Sequence, residues 1–178
     1  LAQQGDPSEH AAELDPATGI TVPLSPGAVA THSESIQPFS LTRDASDGIE
    51  SLAEDGDPSV LVQTLADAGA VTDGAAFGSG PLFPTERDTF YVAASTPGED
   101  DPGDRLSIAT MHIQSNDYFY AFDPAGLPLF TEDGEPISGE QTAELSLYDA
   151  RTEADQEPGV GSNQAPRQPG TNTGPSQN

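Results

Sequence analysis

The stretch Arg105-Leu106-Ser107-Ile108-Ala109-Thr110-Met111-His112-Ile113-Gln114 decides how this chain folds. Leu106, Ile108 and Thr110 alternate with Ser107, Ala109, Met111 and Ile113, so both sides of an extended backbone carry apolar or small groups. A strand with one wet face would alternate apolar with polar. The near-continuous apolar run instead predicts a central strand buried on both faces. Downstream, Tyr118–Phe122 and Thr142–Tyr148 (TAELSLY) read as further strands, the second with Ala143, Leu145 and Leu147 on one face. Upstream, Thr89–Ser95 (TFYVAAS) alternates Phe90, Val92 and Ala94 against Thr89, Tyr91 and Ala93. A proline-rich turn from Val22 leads into a short strand at Ala28–His32. Turns are expected at Asp100-Asp101-Pro102-Gly103 and Glu132-Asp133-Gly134.

Two short helices interrupt the strands. Ser46 or Asp47 can cap the first, which carries Ile49, Leu52 and Ala53 on one face and is closed by Gly56. The second starts at Asp57-Pro58, a capping side chain followed by proline at the first helical position. Val60, Leu61, Thr64, Leu65 and Ala68 recur there at helical spacing before Gly69.

Composition bounds the possibilities. The 178 residues suffice for one domain, and 18 glycines with 17 prolines argue against a helical bundle. Thirty acids against five basic residues, all arginine, give a net charge of −25. Self-repulsion on that scale opposes a compact state at low ionic strength. At molar salt the Debye length shrinks to about 3 Å and the repulsion is screened. A carboxylate surface without lysine therefore reads as adaptation to high salt. The same balance argues strongly against nucleic acid and disfavours an anionic membrane surface as partner, because no basic patch is present. With no cysteine, disulfides and thiolate metal sites are impossible. No run approaches the ~18 apolar residues of a membrane span, so no membrane insertion is expected. Leu1 starts no signal peptide, and a leader on a secreted form would already have been removed.

No catalytic residue emerges, and the chain is expected not to be an enzyme. His10, His32 and His112 have no nucleophile at a short spacing, and neither a nucleophile elbow nor a phosphate loop is present. Oxygen-ligand metal chemistry is better placed. Ser115-Asn116-Asp117 ends the longest strand, Asp149 follows the strand 142–148, and the turn to Glu153 offers more oxygens. Calcium takes six to eight of them. The competing reading of these acids is a solvated rim, since a chain this acidic puts carboxylates at strand ends by chance.

These residues carry a resemblance. The segments GDRLSIATMHIQSNDYFYAF (103–122) and LSLYDARTEADQEPGVGSNQAPRQPGTNTGP (145–175), with LSPGAVATHS (24–33) and IESLAEDGDPSVLVQTLADAG (49–69), resemble the spondin domain of prokaryotic extracellular proteins, in order from about Pro23 to Pro175. The animal members are the amino-terminal domains of F-spondin and mindin. Their Ser-Pro-Asp-Trp-Phe is matched by Ser115–Phe119, and their Tyr-Asp-Ala-Gly-Thr-Asp by Tyr148–Glu153. The resemblance implies a β-sandwich with calcium at one tip, Asp117 and Asp149 as principal ligands, and Glu153 at the position of the family's second acid. Arg151 departs from the family glycine and would occupy a backbone position that glycine takes more easily.

The resulting expectation is an all-β dominated, antiparallel β-sandwich with two short helices inserted and long irregular termini. Residues 1–19 form a polar arm, 20–156 the spondin-type domain, and 157–178 a Gly/Pro/Asn-rich tail on the surface. The expected function is that of a secreted or cell-surface calcium-binding adhesion domain of a halophile, with an extracellular protein or glycan as ligand. The alternative is a structural subunit whose partners are copies of itself. The family's terminal strands are either absent here, with only Gly19–Val22 as a seed, or their edges are covered by something else. Residues 1–22 are expected to pack on a sheet edge, their own or a neighbour's. An edge left uncovered would accept a strand from a neighbour.

Overall fold

The computed structural model describes residues 22–97 and 103–177. The arm with its His10, the strand seed as far as Thr21 and the turn at 100–102 lie outside the described residues. Along the chain run β1 (Leu24–His32), α1 (Asp47–Asp55), α2 (Ser59–Asp67), β2 (Val71–Phe77), β3 (Arg105–His112), β4 (Tyr118–Ala121), β5 (Leu127–Pro128), a 3-10 turn (Thr142–Glu144) and β6 (Ser146–Asp149). All strand pairs are antiparallel, in the order β2-β1-β3-β4-β6, with β5 paired to the start of β3.

β3 lies between β1 and β4, and its last six residues are all buried. It ends at His112 rather than Gln114, because Gln114 takes a left-handed φ of 76° that no ladder accommodates. One face of the sheet presents Ala28 and Ala30 of β1, Ala109 of β3, and Phe119 and Ala121 of β4. This floor of mostly small side chains lets the helices sit close, and Ile49, Leu52 and Ala53 of α1 with Leu61 and Leu65 of α2 pack on it. Phe39, Phe119 and Tyr148 extend the core toward β6, with ring centroids 4.8–5.6 Å apart.

The first helix follows its signals, while in the second Pro58 takes the N-cap position rather than the first helical one and Ala68, not Gly69, is the C-cap. Ser46 Oγ accepts from Ile49 N at 3.4 Å, and Gly56 closes α1 at φ 69° with its N–H on Leu52 O. Asp57 Oδ1 accepts from Ser59 N at 2.9 Å, which holds its carboxyl below the usual range. The buried stripe of α2 is narrower than the spacing suggests. Val60, Thr64 and Ala68 are exposed, and the Thr64 hydroxyl turns back onto Val60 O.

The far face carries Val29, Phe77, Ile108 and Phe122. Of the expected β-sandwich, the described residues show one open antiparallel sheet with the two helices on one face, and no second sheet. Thr89–Ser95 does lie over this face with Phe90 and Val92 packed inward and Tyr91 91% exposed, but it forms no ladder. Its Ala93 N donates to the Asp73 carboxylate, and its Ala93 O accepts from the Thr31 hydroxyl. Alternation reports which side faces the core, whereas pairing needs a neighbouring backbone. The expected strand 142–148 also divides into the 3-10 turn and β6. Within β6, Tyr148 packs on the helix-side core opposite Phe119, while Leu147 is 38% exposed and Leu145, just before the strand, packs on the far face. β2 was not apparent from its sequence.

Candidate metal centre

Asp117 directly precedes β4, at the end of a turn fixed by Ser115. The Ser115 hydroxyl donates to His112 O at 2.7 Å and accepts from Tyr118 N at 3.0 Å. Asp149 is the last residue of β6 and sits opposite Tyr118, so ladder register brings both aspartates to the same tip. The chain then turns. Arg151 N donates to Asp149 Oδ1 at 2.7 Å, and Arg151 has φ 60°, a left-handed conformation costing about 1 kcal/mol for a side-chain-bearing residue. Arg151 thus holds, with strain, a backbone position that glycine takes more easily.

This turn aims its backbone at Asp117. Thr152 N (2.7 Å), Glu153 N (3.1 Å) and the Thr152 hydroxyl (3.2 Å) all donate to Asp117 Oδ2. Asp117 is completely buried, yet its Oδ1 has no hydrogen-bond partner. Burial pushes its carboxyl upward against the pull of the Glu153 and Thr152 donors, and the nearby Asp149 charge adds to the rise. Carboxylate oxygens of Asp117, Asp149 and Asp155 all lie within 4.8 Å of one another, the latter two exposed. Burial and the adjacent Asp155 push the Tyr118 phenol up to about 12, so it stays protonated beside that carboxylate.

The arrangement fits a hard divalent cation. Three carboxylates converge with oxygen donors only, two of them exposed, and the buried Asp117 keeps one oxygen that nothing among the described residues satisfies. Asp117 and Asp149 are brought together as the sequence suggests. Glu153 is not part of the cluster. Its Oε1 accepts from Gly174 N at 2.7 Å and its Oε2 from Asn116 Nδ2 at 3.3 Å. Asp155 joins instead, and nothing in its local pattern distinguishes it from the other acids of the turn.

The tail winds around this tip. Gln164, fully buried, donates through Nε2 to Asn116 Oδ1 and to the carbonyls of Gln156 and Glu157, and accepts at Oε1 from Gly161 N and Arg167 Nη2. Further on, Gln168 reaches Asp55 Oδ1 at 2.9 Å, and the Asn172 amide bridges Glu50 and Glu54 of α1. Glu54 is 2% exposed. Burial pushes its carboxyl up to about 7, with the charges of Glu153, Glu50 and Asp55 adding to the rise and a hydrogen bond from Thr152 opposing it.

A pH dependence follows. The folded protein keeps the Glu54 proton at pH values where the unfolded chain has lost it, so stability from this group is full below about 4.5 and falls as pH rises toward 7. The total swing is at most about 3 kcal/mol. Denaturant melts at pH 5 and pH 8 are expected to show the wild type less stable at pH 8, with part of the difference removed in Glu54→Gln. An undiminished difference in the variant would assign the slope elsewhere.

Other chemistry is sealed in the sheet. His32 and Ser107 share a 2.8 Å contact, with the other ring nitrogen of His32 on Ser33 O. His32 is fully buried and Ser107 is 8% exposed, and Gly126 packs against the imidazole. This geometry leaves a substrate no access to the serine. No helix among the described residues is long and apolar enough to cross a membrane. No family model matches the chain, and no curated protein matches it.

Proposed function

We propose that this chain is a non-catalytic, calcium-binding domain of the spondin type, secreted or displayed at the surface of a halophile, where it binds an extracellular protein or glycan. The observation that carries the calcium reading is fully buried Asp117, whose Oδ1 has no hydrogen-bond partner and whose carboxylate lies within 4.8 Å of those of Asp149 and Asp155. Burying an ionised carboxylate beside two others is unfavourable unless a cation joins them. The irregular layer over the far face stands where the second sheet of the sandwich is expected, and both faces of the single sheet are covered. Calorimetric titration of the full chain with calcium, at one fixed ionic strength, tests the site. Saturable binding with one ion per chain is expected, and no saturable heat would sink the reading.

The assembly reading has its own support. β2 and β6 end the strand order, and among the described residues no further strand pairs with either. Such edges accept a strand from a neighbouring copy. Sedimentation of the full chain over rising concentration in molar salt separates the two readings. A monomer throughout excludes assembly.

A further inference from the structure

We propose that the segment 156–177 is a positioning element of the ion site, with Glu153 as its latch, so that tail docking and ion binding strengthen one another; this rests on the calcium reading above. Residues 152–154 are gripped from two sides. Toward the site, the Thr152 and Glu153 amides orient the Asp117 carboxylate, fixing Oδ2 and leaving Oδ1 free for the ion. Toward the tail, Thr152 O accepts from Gln177 N at 3.2 Å, Ala154 N donates to Pro175 O at 2.7 Å, and Glu153 forms an isolated bridge with Ser176. Gly174 N closes the contact on Glu153 Oε1.

The grip forms a closed ring. Glu153 Oε2 takes the Asn116 amide, and Asn116 is the immediate neighbour of Asp117. Asn116 Oδ1 in turn accepts from Gln156 N and Gln164 Nε2, which anchor the start of the tail. Displacing the tail end frees the Glu153 carboxylate, loosens the 152–154 backbone and releases the donors that hold Asp117. Both Glu153 oxygens are occupied in this ring, so its role is to hold the turn that supplies the ligands. Coupling of this kind is reciprocal, and an ion that requires the fixed turn must also strengthen the docking of the tail.

Gly174 offers a test that leaves every proposed ligand untouched. It has no left-handed φ, but a Cβ there would overlap the Glu153 carboxylate, which is 2% exposed and tied to Asn116. Gly174→Ala is expected to weaken calcium binding at least about fivefold, the lower end of ordinary coupling. In the wild type, calcium is expected to slow hydrogen exchange at the Ala154, Gly174 and Gln177 amides. If the wild type binds calcium and Gly174→Ala binds it equally well, the latch is wrong while the calcium site stands. Equal exchange of the three amides with and without calcium overturns the latch even if the variant fails to fold. A wild type without any calcium response takes down both readings.

Discussion

Asp117→Asn is expected to abolish the stability that calcium confers, while making the calcium-free protein more stable. At a hundredfold excess of calcium over its dissociation constant, the wild type should gain about 2.7 kcal/mol. The asparagine oxygen can still accept from Thr152 and Glu153, which now bond Asp117 Oδ2, so the turn keeps its support. What disappears is the negative charge that burial and Asp149 make unfavourable in the absence of a cation. The two effects have opposite sign, which separates loss of a ligand from general damage. Asp117→Ala, by contrast, leaves the buried donors unsatisfied and should cost about 1–3 kcal/mol in chelator, with the calcium increment lost in addition. Asp149→Ala should also lose the calcium increment. Chemical denaturation of the four proteins, with calcium and with chelator at one ionic strength, measures all of this. Equal calcium gains in wild type and Asp117→Asn would place the ion elsewhere.

The second large effect is expected from sodium chloride alone. Thirty acids against five arginines leave most carboxylates without a cationic neighbour, and Asp117, Glu54 and Glu153 are buried besides. Arg105 does pair with Glu34 at 3.4 Å, but Glu34 is largely exposed, and such a pair contributes little. Screening from tens of millimolar to molar salt should therefore raise the melting temperature by more than about 10 °C, since each 1 kcal/mol moves it about 2–4 °C in a domain of this size. Folding should be lost on dialysis to low salt and regained on return. The scan belongs in chelator, so that calcium does not supply the missing charge. A melting temperature flat across that range would refute the halophilic reading.

Much of the sheet was legible because it obeys local rules. The two-faced run of β3 and the caps of α1 are statements about nearby residues, and the structure follows them. β2 was not legible. Its sequence VTDGAAF has no apolar alternation, because as the last strand of the order it buries only Phe77 fully. Thr89–Ser95 failed in the opposite way, with the alternation of a strand but no backbone ladder. At the tip, the positions of Asp117 and Asp149 follow from strand ends and register. The choice between Glu153 and Asp155 depends on the left-handed residue at Arg151 and on the tail returning to 152–154, neither of which a linear pattern encodes.

The amide fastening around Gln164 sets how the start of the tail should respond to dissolved salt. A tail poor in apolar residues and rich in Gln, Asn, Gly and Pro invites comparison with a solvated linker, but here its polar side chains are the rivets. Ion pairs fade as dissolved salt shields them. Bonds between uncharged amides and carbonyls have no net charge to shield, and even Arg167 spends its guanidinium on the neutral oxygens of Gly161, Gln114 and Gln164. The start of the tail is thus attached through Gln164 and Arg167 by bonds to neutral oxygens, whose strength should depend little on dissolved salt, whereas Gln168, Asn172 and Gly174 hold the rest to carboxylates.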